Sequence, residues 1–138
     1  MDAFDADVLI YAAVPGHELG TRVLAQLPEP GSADDPPSAI GSVLLLPELL
    51  SKPIRQRADD EVAALVGILA RIRLLPTDEA TAMLAASLGA EYGLKAADAT
   101  HLATAVQAGA DRFVTNNARD FDKAIEEIEI VRPDALAG

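Results

Sequence analysis

The sequence has no cysteine and no tryptophan. Without thiols there can be no disulfide framework and no thiolate metal site, which fits a reducing compartment such as the cytoplasm. Histidine is nearly missing too, with two in the chain, so a bound metal would have to draw its ligands from oxygen. Basic residues are scarce: 11 Lys and Arg stand against 22 Asp and Glu, a net charge of −11. A generic nucleic-acid binder is usually basic, because phosphate contacts need Lys and Arg. The deficit argues against broad electrostatic capture of nucleic acid. It leaves room for a basic protein partner, and for a site where bound cations reverse the local sign. No apolar run approaches the roughly 20 residues of a membrane span. The first apolar stretch has no basic segment before it, so no secretory signal is expected.

What is present is enough for one core. Half of the 138 residues are apolar, with alanine and leucine abundant and aromatics at 4%, so helices are expected to cover the core of a single domain spanning residues 1–138. Ala3 to Asp5 reads as a short strand, and Val8 to Val14 as its continuation or as a turn of helix before Pro15-Gly16. His17 to Leu27 has helical spacing, and residues 28–37 form a Pro/Gly/Asp loop. Ala39 to Val43 is a strand and Leu44 to Lys52 a helix, with Pro47 in its first turn. Asp59 to Arg71 is an amphipathic helix with acidic residues at its start, followed by a strand at Ile72 to Leu75. Thr77 is the expected N-cap of a helix that stops at Gly93. Ala96 to Ala108 is a helix, Arg112 to Thr115 a strand, Arg119 to Lys123 a helical turn and Ile128 to Val131 a strand. Short strands alternating with helices predict an α/β fold with a mainly parallel sheet of about five strands.

Four acidic residues stand at the heads of apolar segments: Asp5, Glu48, Asp98 and Asp120. A carboxylate beside buried surface is costly unless something compensates it. In a parallel α/β sheet, sites form beyond the carboxyl ends of the strands, and strand ends and helix starts on that edge would gather these four. Hard divalent cations prefer carboxylate and water oxygens, and such ions support phosphodiester cleavage.

The pattern resembles the PIN-domain ribonucleases and, within them, the VapC-type toxins of toxin–antitoxin pairs. Four segments carry the resemblance, in order: Asp5-Ala6-Asp7 leading into Val8-Leu9-Ile10-Tyr11; Ser42 through Glu48-Leu49-Leu50; Asp98-Ala99-Thr100-His101-Leu102-Ala103; and Val114-Thr115-Asn116-Asn117-Ala118-Arg119-Asp120-Phe121. The resemblance implies a three-layer α/β/α fold, Mg²⁺ or Mn²⁺, and endonucleolytic cleavage of RNA. It implies Asp5, Glu48 and Asp98 as metal ligands, Asp120 as a further one, and Thr115 as a hydroxyl that orients the site. Asp7, Asn116 and Asn117 stand beside them. Where the family often has a fourth aspartate this chain has Asn117, with Asp120 three residues later, so which of the two completes the site stays open, as does the number of ions. The resemblance also implies a small VapB-like antitoxin as partner, and a homodimer.

Each position has a plainer reading. Asp5 and Asp120 could cap turns, Glu48 could face solvent, and Asp98 could be a helix-start charge. Thr115, Asn116 and Asn117 could be ordinary turn residues. Asp59 and Asp60 are expected to be helix-start charge only. His17 is expected to be exposed at a helix start, and His101, one turn after Asp98 and so near the site, to be a packed or solvated residue rather than a base. Lys52, Arg55 and Arg57, with Arg119 and Lys123, are candidates to hold an RNA backbone. Phe4-Asp5-Ala6-Asp7 also resembles the haloacid-dehalogenase phosphatases, although Val8-Leu9 stands where that family has Gly-Thr. A non-catalytic PIN-like binding module is the other alternative, with Asn117 as its main support.

Overall fold

A computed structural model describes residues 1–32, 35–121 and 124–138. Five strands form one sheet: β1 (Asp2–Phe4), β2 (Ala39–Ser42), β3 (Arg73–Leu75), β4 (Arg112–Val114) and β5 (Glu129–Val131). Their order is β3-β2-β1-β4-β5, and every neighbouring pair is parallel. Parallel strands need crossovers, and helices supply them. Helices α1 (Ala6–Ala12) and α2 (Glu18–Leu24) join β1 to β2, α3 (Leu45–Arg55) and α4 (Asp59–Leu69) join β2 to β3, and α5 (Glu79–Tyr92) and α6 (Ala96–Gln107) join β3 to β4. A single turn, α7 (Ala118–Phe121), leads toward β5, and a 3₁₀ turn at Pro133–Ala135 follows it.

Alternation along the strands explains the three layers. Phe4, Ala39, Val114 and Val131 face one apolar cluster with Val8, Leu9, Val23, Leu45, Leu49, Leu65 and Ile68 of α1 to α4. Their strand neighbours Ala3, Ile40 and Phe113 face the other cluster, with Ala85 and Leu88 of α5, Leu102 and Ala105 of α6, and Phe121. Both faces of the sheet are therefore covered, as an all-parallel sheet requires. The α/β/α arrangement and the five strands agree with the sequence reading.

Of the two readings of the Val8–Val14 run, helix holds as far as Ala12: Asp5 follows β1 and caps α1, its Oδ1 accepting from the Ala6 N–H at 2.8 Å. Three local expectations are corrected. Helix α5 is capped by Asp78, not Thr77; the Asp78 Oδ1 accepts from the N–H and hydroxyl of Thr81, both at 2.8 Å. His17 is half-buried rather than exposed. It caps α2 through Nδ1, which accepts from the Gly20 N–H at 3.1 Å, and stacks on Tyr11 with ring centroids 4.7 Å apart. Gly20 is required there: a Cβ would lie 2.0 Å from the Tyr11 carbonyl oxygen. Helix α3 runs to Arg55, past the expected end at Lys52, because buried Pro53 falls in its last turns, where one lost hydrogen bond is tolerable. The described part of 28–37 has no helix or strand, as expected.

Candidate metal and nuclease site

The strand order doubles back beside β1: the chain builds β2 and β3 on one side and returns to place β4 and β5 on the other. Ligand sites in such sheets form at this switch, beyond the carboxyl ends. Asp5 and Thr115 are the first residues past β1 and β4, and the ladder continues through them. The Asp5 N–H donates to the Val114 carbonyl and the Thr115 N–H to the Val131 carbonyl, both at 3.0 Å. Their side chains meet. The Thr115 hydroxyl donates to Asp5 Oδ2 at 2.8 Å and accepts from the Asn117 N–H at 3.1 Å. Asp5 is 6% exposed and Thr115 1%, so this carboxylate is held by two donors in a dry environment.

The loop after β4 is tied to α1 in the same way. The Asn116 N–H donates to Asp7 Oδ2 at 3.0 Å, and its side-chain amide donates to the Tyr11 hydroxyl at 3.1 Å. Asp7 Oδ1 is buried and meets no hydrogen-bond partner among the described residues. Burial, and then the charge of Asp5, push the Asp7 carboxyl up to about 6, against the partial relief of the Asn116 N–H. Asn117 and Asp120 form a pair: the Asn117 amide donates to Asp120 Oδ2 at 2.9 Å, and the Asp120 N–H donates back to Asn117 Oδ1 at 3.3 Å. The amide thus supports Asp120.

Two helices bring the remaining acids. Asp98 lies in the first turn of α6 and is half-buried. Its carboxyl is raised by burial, then by Asp5 and Asp120; His101 pulls it down and Glu48 pushes it up. Glu48 lies in the first turns of α3, behind Ser42, whose hydroxyl oxygen accepts from the Leu44 N–H at 3.1 Å and turns the chain from strand to helix. Glu48 Oε1 is hydrogen-bonded to His101 Nε2. Asp5 and Asp98 thus act on Asp7, and Asp5, Asp120 and Glu48 on Asp98, although these residues are scattered over the chain.

The basic candidates do not join them. Lys52, Arg55, Arg57 and Arg119 are exposed, and none makes an ion pair among the described residues. Arg57 turns the chain between α3 and α4 with a left-handed φ of 54°. Lys123 lies outside the described residues. His101, expected to be packed or solvated rather than a base, is packed and also bonded to Glu48. Its place one turn beyond Asp98 was the available signal, since residues three apart share a helix face. Tyr11 carried no such signal.

Among the described residues, no group of three or more His, Asp or Glu side chains is arranged, as it stands, to hold a metal ion. The reason is visible in the bonds: Asp5 is taken by Ala6 and Thr115, Glu48 by His101, Asp7 by Asn116 and Asp120 by Asn117. The donor chemistry nonetheless suits a hard cation. It is all carboxylate, Asp7 keeps a buried oxygen without a partner among the described residues, and Asp7 and Asp98 are both raised, first by burial and then by like charge nearby. A cation would relieve that repulsion.

A profile of the PIN domain matches residues 3–127. The chain belongs to the PIN-domain family. That match includes Phe4 to Asp7, so the haloacid-dehalogenase resemblance is set aside. Solved structures share the PIN-like fold at low identity. A toxin–antitoxin complex from Klebsiella pneumoniae aligns with a TM-score of 0.75 and 22% identity, covering 96% of this chain and 98% of that one. DNA-bound VapBC from Salmonella typhimurium gives 0.74 and 21%, covering 96% and 97%. A VapBC complex from Rickettsia felis bound to promoter DNA gives 0.69 and 16%, covering 95% and 97%. No curated protein sequence matches the chain.

Proposed function

We propose that this PIN-domain protein is a VapC-type toxin, a metal-dependent endoribonuclease that cleaves RNA phosphodiesters. What supports the reading is that Asp5, Asp120 and Glu48 all press on the half-buried Asp98 carboxyl with like charge, and that Asp5 lies just past β1, where the strand order switches. Those four residues would hold Mg²⁺ or Mn²⁺, which supplies an activated water near neutral pH and stabilisation of the leaving oxygen. Thr115 keeps Asp5 oriented through its hydroxyl, and Asn117 does the same for Asp120. Asp7, half-buried and bonded to Asn116, fixes the β4–α7 loop against α1. Arg55, Arg57 and Arg119 are placed on the surface, where they would meet the RNA backbone outside the acidic group. Purified protein should cut RNA with Mn²⁺, and should stop with EDTA or with Asp98→Asn. Cleavage that survives both treatments would rule the mechanism out.

A small VapB-like antitoxin is the proposed partner, supported by the neighbours crystallised as toxin–antitoxin complexes. The net charge of −11 favours a basic antitoxin segment and fast association. A homodimer is proposed as well; Ile54, Val66 and Met83 remain exposed, apolar surface that a second copy would cover. No helix among the described residues is long and apolar enough to cross a membrane, and a cytoplasmic location is proposed. The second reading, a non-catalytic PIN-like module, draws on the unassembled donors and on the amide at Asn117. Calorimetry of the folded protein with Mn²⁺ separates the two, because only the nuclease reading predicts binding heat.

A further inference from the structure

His101 has no part in the chemistry above, yet its surroundings are unusual. The residue is 3% exposed. Its Nε2 meets Glu48 Oε1 on another helix, 53 residues away in sequence, while Nδ1 is buried with no hydrogen-bond partner among the described residues. A proton on Nδ1 would be a buried donor with nothing to accept it, which is costly. The tautomer that fits carries its proton on Nε2 and donates it to Glu48. The imidazole sits in the buried stretch of α6 and is 2% exposed, whereas Glu48 is a flexible side chain that is 37% exposed. Left alone, such a glutamate samples many rotamers, and a cation would have to order it on binding. While held, Glu48 still acts on Asp98, so the bond keeps it within reach of the acidic group.

We infer that His101 is a positioning residue: its Nε2–H fixes one oxygen of Glu48 at the margin of the acidic group and leaves the other for a cation. The role rests on the metal-site reading above. Donors behind ligating carboxylates commonly alter metal affinity about 10–100-fold when removed. Among the described residues Glu48 is the acid of the group that His101 hydrogen-bonds, so the positioning effect should pass through it.

The test combines Mn²⁺ calorimetry with ¹⁵N spectra of the metal-free imidazole. His101→Ala should weaken Mn²⁺ binding by about 10–100-fold. His101→Gln, whose amide can donate to the same oxygen, should recover most of the loss. In a Glu48→Ala background, His101→Ala should lose far less than the roughly 10–100-fold expected in the parent, about 2-fold or under. The spectra should show the Nε2-protonated tautomer, with a shift that moves on Glu48→Ala. Should His101→Ala not fold, the Gln variant and the spectra decide. If Asp98→Asn abolishes Mn²⁺ binding while His101→Ala binds like the parent, the positioning role is wrong and the metal site stands. Equal weakness of the Gln and Ala variants, or an Nδ1-protonated ring, also overturns it. If the parent binds no Mn²⁺, the metal reading fails and this role falls with it.

Discussion

The two ends of strand β1 carry aspartates with opposite fates. At the amino end, Asp2 is met by Arg112 of the neighbouring strand in a two-pronged pair, Nε to Oδ1 at 2.9 Å and Nη2 to Oδ2 at 2.7 Å. At the carboxyl end, three residues on, Asp5 faces Asp7 and Asp98, and none of the three has a Lys or Arg partner among the described residues. The same sheet neutralises charge at one edge and accumulates it at the other. Bidentate pairing is how a carboxylate contributes to stability. Unrelieved repulsion between carboxylates costs stability and is typical of sites that bind or react. The amino edge thus holds the fold together, while the carboxyl edge carries the charge that the proposed cation would relieve.

Variants at the two edges should behave differently. The largest effect is expected on activity: Asp5→Asn and Asp98→Asn should each lower Mn²⁺-dependent RNA cleavage by about 10³-fold or to background, measured as initial rates on a defined RNA. Arg112→Met should leave the cleavage rate per folded molecule unchanged. It should instead lower stability in urea by about 1–3 kcal/mol, because Asp2 is left mostly buried and unpaired. A large loss of rate in that variant would erase the distinction between the edges.

A smaller effect separates charge from shape at the carboxyl edge. Asp7 is pushed up to about 6 in the folded protein from the usual 3.8. The folded state therefore binds the extra proton between those values, and stability falls as pH rises through that window. Asp7→Asn removes the loss and keeps an oxygen for the Asn116 N–H. It should match the parent below about pH 4 and exceed it above about pH 6, by about 1–2 kcal/mol once solvent screening is allowed for. Urea titrations at pH 4 and pH 7.5 check this, and a gain of equal size at both values would mean that charge is not the cause.

Much of this layout was legible in the sequence because the strand–helix alternation is regular, and because Asp5, Glu48 and Asp98 each begin a segment whose apolar spacing points to a packed element. The places where the reading failed or stayed open have physical causes. Val8 to Val14 is a short apolar run, which periodicity alone cannot assign to strand or helix; the Asp5 cap decided it. Thr77 and Asp78 are adjacent capping residues, and a one-position shift at a helix end is within ordinary ambiguity. The Asn117–Asp120 pair could not be resolved, since both residues stood as candidates for one position and only the fold shows the amide bonded to the acid. The bond between His101 and Glu48 was half legible: the spacing from Asp98 brings His101 near the site, but its partner lies on a helix across the sheet, which no local pattern records.

The most direct test is thermal unfolding of the parent and Asp98→Asn across an Mn²⁺ titration. In EDTA the variant should melt a few degrees higher, because it has lost a repelling charge. At saturating Mn²⁺ the order should invert, since only the parent gains binding energy, about 2.7 kcal/mol when the ion stands at a hundredfold excess over its Kd. Curves that never cross, with the parent indifferent to Mn²⁺, would mean that the acidic edge is not a cation site.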